Sequence, residues 1–79
     1  MDAVKTGSYL AALRRAKGLT QQETAEELGV SNKTISKWES GGGFPDITVL
    51  PALAEFYGVS VDYLVGLTDE PTPYPRKKK

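Results

Sequence analysis

Residues 21–40 read Gln21-Gln22-Glu23-Thr24-Ala25-Glu26-Glu27-Leu28-Gly29-Val30-Ser31-Asn32-Lys33-Thr34-Ile35-Ser36-Lys37-Trp38-Glu39-Ser40, and this stretch decides the fold. Thr20 precedes it and Glu23 stands three residues on. In that capping box the Thr hydroxyl accepts from the Glu amide while the Glu carboxylate returns to the Thr amide. The spacing therefore predicts a helix that starts at Thr20-Gln21 and runs to Leu28. Gly29 tolerates the positive φ that a tight turn needs. Ser31 is a good N-cap for a further helix up to about Ser40. Two helices crossing steeply need a small residue where they touch, and Ala25 supplies it. Leu28, Val30, Ile35 and Trp38 then supply the apolar contacts that lock the pair.

The helix after Ser31 has two unlike sides. At about 100° per residue, with Asn32 as origin, Ser36, Lys33 and Lys37 fall within about 140° of it, while Ile35 and Trp38 fall at about 300° and about 240°. One side is apolar and the other carries short polar or basic groups. Asn can pair bidentately with adenine and Lys can donate to guanine O6 and N7 in a major groove. An ordinary amphipathic surface helix has such a face as well, so the face alone does not choose. Glu39 falls near about 340°, toward the core boundary. Trp38, beside Ile35, is expected in the core rather than stacked on a base.

Outward from this pair the chain breaks into helix-sized pieces without strand alternation. Residues 8–17 are rich in Ala, Leu, Arg and Lys, all good helix formers. Leu10 and Leu13 share an inner face, Thr6 or Gly7 begins the helix, and Gly18 suits its end. Leu50, Leu53, Ala54 and Tyr57 follow i, i+3, i+4, i+7, the strongest helical pattern in the chain. Pro51 is tolerated only in a first turn, so this helix is expected from near Thr48, with Asp46 capping an irregular first turn, to Gly58. Ser60 caps a short last helix, Val61 to Val65, with Val61 and Leu64 inward. The expectation is an all-α, five-helix domain over residues 8–67. It carries an N-terminal arm at 1–7 and a Pro-rich basic tail or linker at 68–79.

Composition narrows the function. The 79 residues suit one domain. There is no Cys and no His, which excludes disulfides and thiolate metal sites and removes the usual metal ligand and general base. No cofactor or metal is expected. No apolar run reaches the roughly 18–20 residues of a membrane span, and Met1 to Gly18 lacks the apolar stretch of a secretory signal, so the cytoplasm is the expected compartment. The carboxylates are scattered, no nucleophile–base pair is evident, and Gly41-Gly42-Gly43 lacks the Lys-Ser/Thr of a P-loop; an enzyme is not expected. The formal net charge is zero, with ten basic and ten acidic residues. Within 6–68, Arg14, Arg15, Lys17, Lys33 and Lys37 face seven acids. Affinity for a polyanion would have to come from local placement, because the overall field gives no help.

Four segments together resemble the phage repressor and Cro-like helix-turn-helix domains of the XRE family. They are Leu13-Arg14-Arg15-Ala16-Lys17-Gly18-Leu19-Thr20-Gln21, Ala25-Glu26-Glu27-Leu28-Gly29-Val30-Ser31, Ile35-Ser36-Lys37-Trp38-Glu39 and Leu53-Ala54-Glu55-Phe56-Tyr57-Gly58-Val59-Ser60-Val61-Asp62-Tyr63-Leu64. The resemblance covers about residues 8–67. It implies a lambda-repressor-like five-helix fold in which helices 2 and 3 read duplex DNA. Asn32, Lys33 and Lys37 would then face bases, with Ser36 on the same side. Thr20, Gln21, Ser31 and Thr34 would contact phosphate, as would Ser40, Gly41 and Gly42 in a loop that offers main-chain amides. Arg14 and Glu39 map onto a structural ion pair between helices 1 and 3. A homodimer on a palindromic operator is implied, joined near the fifth helix.

Two positions depart from the family. Thr24 stands where Leu is usual, so the core there is underfilled or the hydroxyl bonds back to a helix carbonyl. The triglycine loop lacks the basic side chains that some relatives set against phosphate. Gln22, Glu26 and Glu27 look like a solvated face. Tyr63 packs at the domain edge or at a dimer contact. A second reading is an antitoxin-like protein-interaction module on the same fold, with a protein partner held by the C-terminal tail.

Overall fold

The computed structural model describes residues 2–72. It contains five helices: α1 (Ala3–Ala16), α2 (Gln21–Leu28), α3 (Asn32–Ser40), α4 (Leu50–Tyr57) and α5 (Val61–Leu64). No strand occurs among the described residues, in line with the all-α expectation.

α1 begins at Ala3, five residues ahead of the expected Ser8, and absorbs most of the segment expected to be an arm. Asp2 starts it: its carboxylate accepts from Val4 N at 3.0 Å and Lys5 N at 3.2 Å, satisfying two amides that a helix start leaves open. Tertiary contacts then hold the extra turns. Thr6 is buried and its hydroxyl donates to the Leu64 carbonyl at 2.7 Å, closing the end of α5. Gly7 lies against the end of α3. A Cβ there would stand 2.7 Å from the Glu39 carbonyl oxygen and closer still to that of Trp38. The glycine is a contact point inside the helix, not its beginning.

The other boundaries follow local chemistry. At the α2 start the Thr20 amide donates to Glu23 Oε1 at 2.9 Å and the Glu23 amide to Thr20 Oγ1 at 3.0 Å. α4 begins at Leu50, later than expected, with Pro51 second in the helix and no side-chain cap. Asp46 acts through its carbonyl, which accepts from Val49 N at 2.8 Å and Leu50 N at 3.1 Å. Its carboxylate instead accepts from the Thr48 hydroxyl at 3.1 Å. α5 is one residue shorter than expected, with Ser60 as N-cap and Val65 as C-cap.

The core gathers Leu10 of α1, Ala25 of α2, Ile35 and Trp38 of α3, Leu53 and Ala54 of α4, Val59 and Leu64. Full burial of a side chain such as Leu53 or Leu64 contributes about 1.5–3 kcal/mol. α3 therefore sits with one face sunk in the core and fixed from two sides, by α1 and by α2. Tyr63 meets Tyr9 of α1 in a stack with centroids 4.9 Å apart and stays half-buried. The start of the expected tail also folds back, since the Pro71 carbonyl accepts from Ser60 N at 3.0 Å. Pro73 to Lys79, most of the expected Pro-rich basic tail or linker and of the segment that the second reading gives to a protein partner, lie outside the described residues.

Candidate nucleic-acid interface

The turn between α2 and α3 sets the site. Gly29 takes φ 72°, and the next amide, Val30 N, donates to Ala25 O at 3.0 Å. Ala25 is 1% exposed and lies in one core cluster with Ile35 and Trp38 of α3. Ser31 then starts α3, its hydroxyl accepting from Thr34 N at 3.1 Å and pairing with the Thr34 hydroxyl at 2.9 Å.

Ile35 is 2% and Trp38 7% exposed, both within the core. Asn32, Lys33, Ser36 and Lys37 are exposed on the opposite side. Thus the helix presents one outward face of two amines, an amide and a hydroxyl. Ser31, Ser40 and Thr20 border this region and are exposed; Gln21, Thr34 and Gly41 are half-buried.

Asn32 is not isolated on that face. Its Nδ2 donates to Gln22 Oε1 at 3.0 Å, and Gln22 Nε2 donates in turn to Glu26 Oε2 at 3.0 Å. Gln22 and Glu26 are solvated, as expected, yet they also orient the Asn32 amide. Sequence reasoning missed Gln22. The signal is its place on the α2 side that faces the start of α3, which needs the crossing of the helices to become visible.

Behind the face, Arg14 and Glu39 form the expected ion pair. Arg14 Nε lies 2.7 Å from Glu39 Oε2 and Nη2 lies 3.0 Å from Oε1, with side chains 12% and 7% exposed. Nη1 donates to the Leu19 carbonyl at 2.9 Å and Gln21 Nε2 to Glu39 Oε1 at 3.0 Å. The hydrogen bonds to Glu39 push the guanidinium pKa above its already high usual value, against the opposing effect of burial, so Arg14 stays charged. Gln21, expected at a phosphate, is thereby tied through its amide nitrogen to the α1–α3 pair. Near this cluster burial pushes the Tyr57 hydroxyl up in pKa; the neighbouring Thr24 hydroxyl lowers it in part, and Glu39 adds to the rise. Thr24 Oγ1 itself is fully buried and finds no partner in good hydrogen-bond geometry, so the expected bond back to a helix carbonyl is absent.

The loop after α3 differs from its expected form. Gly41 N donates to the Trp38 and Lys37 carbonyls, Gly42 N to Lys37 O at 2.9 Å, and the Ser40 hydroxyl to Lys37 O at 3.1 Å. These donors close the end of α3. The main-chain amides of Gly41 and Gly42 are therefore engaged inside the loop instead of pointing outward, because the final carbonyls of a helix otherwise lack partners.

Among the described residues no three His, Cys, Asp or Glu side chains gather as a metal group, and no helix is long and apolar enough to cross a membrane.

Comparison with known proteins agrees with this geometry. The transcriptional activator BcrR of Enterococcus faecalis is 46% identical over 56 residues, 71% of this chain and 28% of that protein. The phage transcriptional repressor RstR of Vibrio cholerae serotype O1 is 38% identical over 69 residues, 85% of this chain and 62% of that protein. The chain thus spans less than two thirds of either relative. The DNA-binding domain of BldD from S. venezulae superposes with a TM-score of 0.68 at 30% identity, over 78% of this chain and 93% of that one. Residues 10–64, which run from the second half of α1 to the end of α5, match a family described as helix-turn-helix. The chain belongs to that family, in its XRE-type branch.

Proposed function

We propose that the chain is a sequence-specific, repressor-like DNA-binding regulator that lays α3 in the major groove. Asn32, Lys33, Ser36 and Lys37 reach base edges, while the sugar-phosphate backbone passes Thr20, Gln21, Ser31, Thr34 and the loop of Ser40, Gly41 and Gly42. One observation carries this reading: four exposed polar side chains stand on the face of α3 opposite the buried Ile35 and Trp38. A helix held so firmly by its back offers its front as a rigid probe, which suits readout of base edges.

A single reader covers only a few base pairs, so two copies across a dyad supply the remaining affinity, with half-sites about one helical turn apart. An apolar groove of about 430 Å³ beside α5 supports a homodimer. It is lined by Phe44, Leu50, Val61 and Val65 and flanked by Ile47 and Leu67, which are 76% and 72% exposed. Exposed aliphatic residues around an apolar groove favour a second protein surface over water. No catalytic step belongs to this reading.

The test is selection of duplexes from a random pool, followed by anisotropy titration and a mass measurement of the complex. Asn32→Ala and Lys33→Ala should each relax preference at particular base pairs by about 1–3 kcal/mol. If both variants discriminate among duplexes as the parent does, direct readout by α3 is wrong. A complex with one protein per duplex would remove the dimer.

A further inference from the structure

The apolar groove beside α5 takes Phe44, Ile47 and Leu50 from the start of α4 and the segment leading into it, and Val61, Val65 and Leu67 from α5 and the chain just after it. Ile47 and Leu67 stand largely exposed there. Aliphatic groups gathered in this way gain by being covered. Two acids border the groove: Asp62 lines it, and Asp46 lies between Pro45 and Ile47, which line it too.

The described chain ends close to this groove. Ser60 immediately precedes Val61, and its amide donates to the Pro71 carbonyl at 3.0 Å. From Pro71, three residues span at most about 10 Å, so Tyr74 is within reach of Val61. The sequence there is Pro73-Tyr74-Pro75-Arg76-Lys77-Lys78-Lys79, one aromatic ring between two prolines and then four cations. That order, apolar and then basic, matches an apolar groove bordered by acids. Prolines leave the backbone less freedom to lose on docking, and a proline-rich segment suits a groove with an aromatic wall such as Phe44. A tether this short presents its segment at an effective concentration on the order of millimolar, above that of any separate partner in dilute solution.

We propose that the tail of the same chain docks in this groove, with the Tyr74 ring inside it and the cations that follow beside Asp46 and Asp62, and that it thereby competes with a second copy for the groove. The competition rests on the homodimer proposed above; the docking does not. Both grooves of a two-fold pair must be open for the copies to meet, so a tail seated half of the time weakens pairing about fourfold.

Three measurements on the full chain test this. Tyr74→Ala should shift the amide resonances of Ile47, Val61 and Val65 and leave those of Asn32 and Lys33 in place. The chain has no cysteine, so Ile47→Cys with Arg76→Cys makes one defined pair. Under oxidation in dilute solution it should close within one chain about tenfold faster than the control pair of Glu27→Cys with Arg76→Cys, Glu27 being exposed on α2. In sedimentation, Tyr74→Ala should pair about fourfold more tightly than the parent. Groove resonances that do not move, or a cross-link no faster than the control, would overturn the docking. A cross-link between two chains would overturn it as well and give the groove to the tail of the second copy. Equal self-association of parent and variant would overturn the competition. If both stay monomeric, the homodimer fails and the competition with it, while shifted groove resonances and a fast cross-link within one chain would still uphold the docking.

Discussion

Arg14 of α1 holds both carboxylate oxygens of Glu39 near the end of α3, at 2.7 and 3.0 Å, and the same carboxylate accepts from Gln21 at the start of α2 at 3.0 Å. One carboxylate thus joins all three helices behind the candidate DNA-facing surface. Removing one member of a largely buried pair leaves the other charge without compensation, which costs on the order of 3 kcal/mol. For a domain this small each kcal/mol moves Tm by about 4–8 °C. Glu39→Gln should therefore lower Tm by roughly 12–24 °C. A loss of only a degree or two in a thermal melt would reduce the pair to an exposed one of little worth.

Gly7 separates two opposite expectations. Glycine inside a helix costs about 0.5–1 kcal/mol relative to alanine, so helix propensity alone says that Gly7→Ala stabilises. The packing says otherwise, because the added Cβ would press on the backbone oxygens of Trp38 and Glu39, which cannot swing aside as a side-chain tip can. Gly7→Ala should destabilise by about 1–3 kcal/mol through separation of α1 from α3. A urea midpoint above that of the parent would show that the two helices give way easily.

These two cases mark what the sequence carries. The caps at Thr20, Ser31 and Ser60 are legible because donor and acceptor lie within three residues, and so are the Gly29 turn and the α4 stripe of Leu50, Leu53 and Ala54. The α1 start is not. Thr6-Gly7 looks locally like a boundary, and what makes it helical is a bond to Leu64, 58 residues away, and the approach of α3. At the site, a helical wheel finds the side on which Asn32, Lys33, Ser36 and Lys37 stand. The link from Gln22 to Asn32 emerges only once α2 and α3 are crossed.

Thr24 tests a departure from the resemblance. Its hydroxyl is fully buried without a well-formed hydrogen bond, and such a group loses its solvation with little return. Thr24→Val keeps the shape and removes that cost, so it should raise stability by about 1 kcal/mol. A lower denaturation midpoint would mean that contact with the Tyr57 hydroxyl is worth more than its geometry indicates.

Tyr57 gives a pH dependence with a definite sign. Burial, ahead of the lesser effects of Thr24, Glu39 and Arg14, raises its pKa above the ordinary value of 10.0 in the folded chain. A raised folded pKa means that the unfolded chain releases its proton first as pH rises. The contribution is whole below the unfolded pKa and is lost as pH climbs from about 10 through the folded value. Tyr57→Phe cannot ionise, so its alkaline loss of Tm should be shallower than the parent's while the two run parallel below about pH 9. Parallel curves throughout would place the Tyr57 hydroxyl in contact with water.

Gln22 is the remaining test of the outward face. It accepts from Asn32 Nδ2 at 3.0 Å, which holds the amide at one orientation while its second N–H and its carbonyl oxygen, the pair adenine recognition uses, stay on the same side chain. Gln22→Ala removes the holding contact without touching the reader. On a duplex that engages Asn32, it should weaken discrimination at that base pair by about 1 kcal/mol or less, since one neutral hydrogen bond at an exposed site is worth no more than that. Preference at the base pair read by Lys33 should be unchanged, as should the salt slope. A loss spread evenly over all positions would instead assign Gln22 to the DNA backbone, and a gain in discrimination would mean that the bond withholds Asn32 from the groove.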